Sequence, residues 1–591
     1  MCGIGGIIRP PGLDPCDHQC AARLPLLLHH RGPDGTGTYH DRSCALIQTR
    51  LALVGSPDCQ LPHRSHDGRY IIVYNGEVYN FEALKRELEP EIPFSTGTDT
   101  EVVLAAWIRW GSNALERLNG MFAFFIWDTL GQRGFGATDP LGIKPLFYHG
   151  SPERFAFASE AGVIVASGAV PFASDDEAIA ELLVAPYFSS ASRLPFAGIE
   201  RLAPGHWMEL TRERVSVERY YRFRHTRRTV RDVDAFVEEV GRTVEDAVVA
   251  SLRADVPVGV FLSGGVDSSL IAAIAQRHSK DPVPCWTIEY RGEEAVDYSK
   301  SLIVKSSDRP FAERVARANG CAHSIVHVDD DAYEKALVRT LRSNDLICAW
   351  EQEVSQQLLA EAASKQVKAV LVGDAADETH FGYSFLLNPG RISSPRRLLE
   401  FFGSVPLHGT FLSNAADCFT DKYEAFAKNL GYSWKTEQDR RLAMSCLIHR
   451  LWLTRLLHNG DIHLMAHSLE GRVPYGDLRL LALAQRLPQE LGLHDGIEKW
   501  HLRRAAERFL EPEIAWRPKS ALTKNLRAHE IVHRHFVRAW RRLGALIERY
   551  VDCDEVEHMA AVAPQTDVEV GLRFRLLALM TWYGRFYGEA P

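Results

Sequence analysis

The chain has 591 residues and a mass of 66.4 kDa, 46% of them apolar and 24% charged. That is a globular composition with enough length for two large cores, and it excludes disorder, collagen and coiled coil for the whole chain. Its 68 basic and 76 acidic residues leave a net charge of −8, the wrong sign for a general nucleic-acid binder or a basic membrane-surface protein.

No apolar run approaches the roughly 18 residues of a membrane span. In the N-terminal MCGIGGIIRPPG, Arg9 and the prolines follow the apolar stretch, the reverse of a signal peptide. Eleven cysteines in so long a chain make no disulfide framework, so a reducing cytoplasm is the expected compartment. Cys59, His63 and His66 lack a clear fourth ligand and are read as incidental.

Up to residue 210, short apolar runs such as ALIQTRLALVG, YIIVYNGEVYN, GMFAFFIWD and RFAFASE alternate with glycine-rich turns. That pattern predicts a β-rich first domain over 2–210. A charged stretch, RYYRFRHTRRTVRDVD, marks a linker over 211–235. Beyond it, helical patterns are punctuated by short buried strands, VPVGVFLSG, VPCWTIEY, HSIVHVD and VKAVLVG. Strands separated by helices predict an α/β domain with a parallel sheet over 236–591, almost all helical from about 395.

Removal of Met1 would leave Cys2 with its thiol and α-amine on one residue, nucleophile and base together. Alone, a second-position cysteine is usually an ordinary small residue. Four further segments change that reading: HRGPD at 30–34, Gln48-Thr49-Arg50 leading into LALVG, YNGEVYN at 74–80, and STGTDTE at 95–101. Together with Cys2 they resemble the class II glutamine amidotransferase domain, an N-terminal-nucleophile glutaminase built as an αββα sandwich. The resemblance implies that Cys2 attacks the side-chain amide of glutamine. It makes the side chain of Asn75 and the backbone N–H of Gly76 the oxyanion hole. Arg50 would pair with the glutamine carboxylate, and Glu77 and Asp99 would hold its α-ammonium. One departure is SPDCQLPH at 56–63, where the family has Gly-x-Gln-Pro.

Residues 256–275, VPVGVFLSGGVDSSLIAAIA, run from a buried strand through glycines and hydroxyls into a helix. Such a turn cradles an anion at a helix N-terminus, but no G-x-x-x-x-G-K-[ST] occurs, so it is not a Walker A loop. SGGVDSS resembles the pyrophosphate loop of ATP-pyrophosphatases. VLVGDAADETHFGY at 370–383 and Gly496-Ile497-Glu498-Lys499-Trp500 extend the likeness to glutamine-hydrolysing asparagine synthetases over roughly 2–530. That family implies ATP and Mg²⁺ as cofactors, with Asp267 and Asp377 as metal ligands. Leu262, Ser263, Gly264, Gly265, Asp267, Ser268, Ser269, Ile288 and Gly373 would line the ATP and pyrophosphate site. Lys499 would neutralise charge on ATP and the acyl intermediate, and Asp374 stands where the family has a glutamate that handles the ammonia proton. LEGRVPYGD at 469–477 reads as scaffold, with Arg472 and Asp477 buried and paired. The family also implies an ammonia tunnel between domains. The partners implied are small molecules, namely glutamine, ATP and a carboxylic acid, with neither nucleic acid nor membrane. A homodimer and a carrier-protein-bound acceptor stay open.

The acceptor pocket departs most. Where the family has E-[TS]-x-D-x-x-[ST], this chain runs from Ser343 to Glu351, keeping Asp345 but bringing in Cys348, Ala349 and Trp350. Ala375 replaces a glycine, Glu289 replaces another, and 291–309 is longer than usual, as a lid would be. Loss of matched polar groups is what abolishes recognition of a small charged substrate. The reading is an amidotransferase of specialised-metabolite or antibiotic biosynthesis, acting through an acyl-adenylate on an acid other than aspartate. The alternatives are a true asparagine synthetase and a β-lactam-synthetase-like cyclase. Intact Cys2, Arg50, Asn75 and Asp99 argue against the cyclase. A silent interaction subunit would have no use for Cys2, Asp267, Asp377 and Lys499 together.

Overall fold

The computed structural model describes residues 2–55, 60–151, 153–186, 188–190, 192–225, 230–293, 306–388, 390, 394–397, 409–520, 525 and 527–588. The first half is two antiparallel six-stranded sheets. One holds β1 (Cys2–Ile8), β2 (Gly35–His40), β3 (Cys44–Arg50), β8 (Phe147–Ser151), β9 (Arg154–Ala158) and β10 (Glu200–Arg201), in the order β10-β8-β9-β1-β3-β2. The other holds β4 (His63–Arg64), β5 (Tyr70–Val78), β6 (Gly120–Asp128), β7 (Arg133–Thr138), β11 (His206–Leu210) and β12 (Val215–Arg219), in the order β12-β11-β7-β6-β5-β4.

Side chains alternate along a strand, and the alternation builds the layers. Ile71 and Val73 of β5 face inward with Phe125 and Trp127 against Ile4, Ile8 and Leu46 of the first sheet. Ile72 and Tyr74 face outward, against Leu84 and Trp107 of the helices Phe81–Leu88 and Asp99–Trp110. The outer face of the first sheet, through Ile7, Ala45 and Ile47, packs on Leu24 of the helix Pro15–Leu27. This is the expected αββα sandwich. The strand β12 lies inside the predicted linker and pairs with β11, so sheet structure runs past residue 210. The next helix, Val233–Ser251, opens on the Asp232 side chain, which accepts from Ala235 N.

The second half carries the expected parallel sheet: β13 (Val258–Phe261), β14 (Pro284–Tyr290), β15 (Ala322–Val328), β16 (Ala369–Leu371) and β17 (Glu470–Arg472), in the order β15-β14-β13-β16-β17. Helices dominate from Gly409 onward, with Phe536 and Trp540 of Ala528–Leu543 in one core with Phe574 of Asp567–Tyr587. The loops after β13 and β16 leave neighbouring strands at the same carboxyl edge, where open α/β sheets bind ligands. Among the described residues no helix is long and apolar enough to cross a membrane.

The halves are joined by buried charge. Arg31, 0% exposed, donates to Glu160 at 3.0 Å and to Asp461 of the second half at 2.6 Å. Asp461 also takes Lys144 Nζ at 3.2 Å. Asp345 of the second half accepts from Ala161 N and Gly162 N at 2.6 and 2.5 Å, at the start of the helix Ala161–Ala166.

Candidate active sites

The first site lies where the two sheets of the sandwich meet. Cys2 opens β1 and is the cross-strand partner of Arg50, the last residue of β3. Asn75 comes from β5 in the opposite sheet, and its Oδ1 accepts from Cys2 N at 3.1 Å. Its Nδ2 is buried and has no hydrogen-bond partner, a donor whose desolvation is uncompensated. Gln48 clamps the two sheets: its Nε2 donates to Tyr74 O at 3.1 Å and lies 3.5 Å from Cys2 Sγ, while its Oε1 accepts from Tyr74 N at 3.2 Å. Gly76 is required by close approach, since a Cβ there would sit 2.3 Å from Met121 O. Burial raises the Cys2 thiol pKa, opposed by Gln48 and Arg50.

Arg50 is 7% exposed and donates to Val54 O at 3.0 Å. Asp99 accepts from Tyr74 Oη at 2.6 Å and Val78 N at 2.9 Å, and burial pushes its pKa up. Burial pushes Glu77 up to about 8, against the pull of Arg472, whose Nη2 lies 3.5 Å away in β17. Cys2, Gln48, Arg50 and Asn75 thus converge, while Glu77 faces across to the second domain.

The second site is built on the two loops at the carboxyl edge of the parallel sheet. After β13, Leu262 N donates to Trp286 O at 2.9 Å and Leu262 is buried, as is Ile288. Gly264 has φ +70°, and a Cβ there would sit 2.6 Å from Ala312 N. The hydroxyls of Ser263 and Ser268 are 3.0 Å apart. The helix Val266–Arg277 starts next, so Asp267, Ser268 and Ser269 fall in its first turn, where backbone N–H groups are free for an anion. Ser269 Oγ and Asp267 Oδ1 are buried without partners.

The loop after β16 lies alongside, a Cβ at Gly373 falling 3.4 Å from Asp267 Cβ. The short helix Ala376–Thr379 carries Asp377. Ala375 before it and Phe381 after it have φ of +73° and +59°, a left-handed conformation costing a non-glycine residue about 1–2 kcal/mol. Lys499 Nζ sits 2.5 Å from both Asp267 Oδ2 and Asp377 Oδ1. Lys519 Nζ sits 2.5 Å from Asp377 Oδ2. Burial raises the Asp377 pKa, but the two ammonium groups overcome it and hold the carboxyl well below the usual range. Asp374 is pushed up to about 6, by burial first and by Asp377, against Lys519.

Two hard carboxylates converging on one cation, one of them with a buried free oxygen, are a donor set that suits a divalent ion shared with phosphate oxygens. Among the described residues no group of three or more His, Cys, Asp and Glu is placed to hold a metal without such a ligand.

One helix reaches both sites. In Leu453–Met465, Asp461 bonds Arg31, whose Nε is 3.5 Å from Cys2 O. A Cβ at Gly460 would lie 3.6 Å from Asp374 Oδ2. Asn459 is 1% exposed, and neither atom of its amide has a partner.

The segment 343–351 is occupied with packing. Both oxygens of Asp345 are taken by the backbone of the first domain, as described above. Asn344 Nδ2 and Ala349 N donate to Glu353, which pairs with His463 at 3.0 Å. Arg472 is buried and pairs with Glu470 at 2.5 Å, and Asp477 is buried and pairs with Arg479 at 2.8 Å, so the two are not each other's partner. Glu289 pairs with Arg309 and His327. Cys59 and residues 294–305 of the predicted lid lie outside the described residues.

Sequence reasoning quoted Gln48 and Arg31 inside motifs without giving them a role, and it missed Asp461 and Lys519. Arg31 stands inside the HRGPD motif, and Lys519 inside RPKS, two bases around a proline with no apolar periodicity. Arg517 of the same run donates to Ser263 O at 2.9 Å and pairs with Asp308 at 2.8 Å, tying that run to the loop after β13.

The glutamine amidotransferase domain family matches residues 1–221, and the asparagine synthase family matches residues 239–583. Asparagine synthetase [glutamine-hydrolyzing] 3 of Bacillus subtilis is 30% identical over 89% of this chain and 87% of its own length. Asparagine synthetase [glutamine-hydrolyzing] 1 of the same organism is 28% identical over 88% of this chain and 86% of its own. The amidase chry2 of Gibberella zeae is 28% identical over 67% of this chain and 61% of its own.

Lys519→Met removes one of the two cations compensating Asp377. It is expected to weaken ATP binding about tenfold in isothermal titration, the size of one lost charge-assisted contact, with no change in glutamine hydrolysis. Unchanged ATP affinity would place Lys519 outside the nucleotide site.

Proposed function

The chain belongs to the asparagine synthase family, with a glutamine amidotransferase domain ahead of the synthase domain, and is a glutamine-hydrolysing carbon–nitrogen ligase; from that premise we propose that it amidates a carboxylic acid other than aspartate through an acyl-adenylate. The observation that carries the coupling of the two chemistries is the run Asn459-Gly460-Asp461, which touches the surroundings of both sites.

In the first site, with Met1 removed, the α-amine of Cys2 takes the thiol proton and the sulfur attacks the amide carbon of glutamine. Asn75 serves twice. Its Oδ1 orients the Cys2 nitrogen, and its free Nδ2, with Gly76 N–H, donates to the developing oxyanion, where such a donor is worth about 3–4 kcal/mol. Arg50 holds the glutamine carboxylate, and Glu77 and Asp99 hold the ammonium. Ammonia leaves with the proton from the amine, and water releases glutamate from the thioester.

In the second site the acceptor carboxylate attacks the α-phosphorus of ATP and pyrophosphate departs. Ser263, Ser268, Ser269 and the helix N-terminus donate to the phosphates, while Lys499 and Lys519 offset their charge. Asp267 and Asp377 would hold Mg²⁺, which would neutralise pyrophosphate charge when bound. Ammonia then attacks the acyl carbon and AMP leaves. Asp374, raised to about 6, takes the surplus proton.

Two features support an acceptor other than aspartate. Asp345, the residue of 343–351 that matches the family pattern, spends both oxygens on Ala161 and Gly162. Cys348, Ala349 and Trp350 are buried in place of the small hydroxyl residues. A relative named an amidase rather than an asparagine synthetase accords with this reading.

Cys2→Ala is expected to abolish glutamine hydrolysis and spare synthesis driven by ammonium chloride above pH 8, while Asp267→Asn does the converse, stopping pyrophosphate release and leaving basal glutamine hydrolysis. Loss of both activities in either variant, with the fold intact by circular dichroism, would contradict two separable sites.

A pyrophosphate-release screen of carboxylic acids with glutamine should respond to an acid other than aspartate. Asparagine formed from aspartate at about 1 s⁻¹ or faster, an ordinary turnover for an enzyme on its own substrate, would make this an asparagine synthetase.

A further inference from the structure

A cavity of about 240 Å³ opens at the seam of the sandwich, the linker and the C-terminal helices, away from both sites. Its wall carries Arg219, Arg222 and Arg450 and no aspartate or glutamate, in a chain whose net charge is −8. Among the described residues none of the three guanidiniums has an ion-pair partner. Arg450 is crowded further, its pKa lowered by burial and by Arg222.

The same wall is aromatic. Phe223 stacks on His449 with centroids 3.8 Å apart and planes 10° from parallel. The Arg450 guanidinium lies over Phe426 at 5.5 Å. His449 is 9% exposed, and its Nε2 is buried without a partner. Burial, with His225 and Arg450 nearby, lowers its pKa to about 3, so the ring is neutral and offers one uncommitted hydrogen-bonding atom. The three arginines are exposed at the rim while Phe223 and His449 are largely buried, and flat guanidinium groups suit phosphate or carboxylate oxygens.

We propose that this cavity binds a small planar organic anion, a ring bearing a phosphate or carboxylate group. The ring would lie against Phe223 and His449, and the anionic group would meet Arg222 and Arg450. The position has a consequence for the enzyme. His449 and Arg450 belong to the π-helical turn Ile448–Trp452, which runs straight into the helix Leu453–Met465. Asn459-Gly460-Asp461 lies about ten residues, roughly 15 Å, further along that helix. The proposal is independent of which acid the enzyme amidates.

The test is isothermal titration of the full chain with phenyl phosphate and with benzoate, with inorganic phosphate and phenol as the two halves of the ligand. Phenyl phosphate or benzoate is expected to bind with Kd of about 1 mM or tighter, and each half at least tenfold more weakly. Arg222→Gln and Arg450→Gln are each expected to weaken binding at least tenfold, with glutamine hydrolysis and the denaturation midpoint unchanged. Equal affinity in the parent and both variants would overturn the site, as would no binding of either anion at 10 mM. Equal affinity for phenyl phosphate and inorganic phosphate would overturn the aromatic half of the proposal.

Discussion

Arg31 is the tie on which the two-site arrangement depends. One fully buried guanidinium meets a carboxylate from each domain, Glu160 and Asp461, and its third nitrogen faces the carbonyl of Cys2. A buried cation is tolerated when its partners are fixed in place, and removing one partner typically costs about 3–5 kcal/mol. The planar fork also sets direction as well as distance. The domains therefore hold one relative placement to within hydrogen-bond tolerance. Lys144 reinforces it from a tight turn in which Asp139 accepts from Leu141, Ile143 and Lys144 backbone N–H groups. Asp345 fixes a second point, and Glu77 facing Arg472 a third.

With the frame fixed, each site can hold groups that would be unfavourable in isolation. Asn75 keeps a buried donor unpaired, and Asp267 a buried acceptor. Ala375, Phe381 and Lys499 sit at positive φ around the carboxylates they position. Strain and unmet polarity of this kind concentrate where a substrate is to complete the arrangement. Lys499 between Asp267 and Asp377, with Lys519 beside Asp377, balances the charge of the two carboxylates.

Much of this was legible in the chain, for local reasons. Period-two alternation in YIIVYNGEVYN produced both faces of β5, and the short apolar runs flanked by helical patterns became the parallel sheet. The loop SGGVDSS announced itself because glycines, hydroxyls and a helix start are adjacent in sequence. What stayed hidden depends on partners far apart in the chain. Arg31 and Asp461 are 430 residues apart, and Lys519 and Asp377 are 142 apart. No periodicity reports such a pair. Asp345 matched an acceptor motif, yet it spends both oxygens on the first domain, a contact that motif spacing does not encode. Charge in RYYRFRHTRR suggested a linker from 211, whereas β12 needs only one partner strand and tolerates exposed polar residues at a sheet edge.

The shared frame is tested most directly by isotope competition. The enzyme would be supplied with [amide-¹⁵N]glutamine, ATP, Mg²⁺ and whichever acid sustains pyrophosphate release, in a large excess of unlabelled ammonium at neutral pH. The product amide is then analysed by mass spectrometry. Retention of the ¹⁵N label is the result expected of the proposed coupling, in which ammonia released at Cys2 reaches the second site without mixing with solvent. An amide whose label is diluted to the bulk ammonium ratio would contradict a closed route between the two sites.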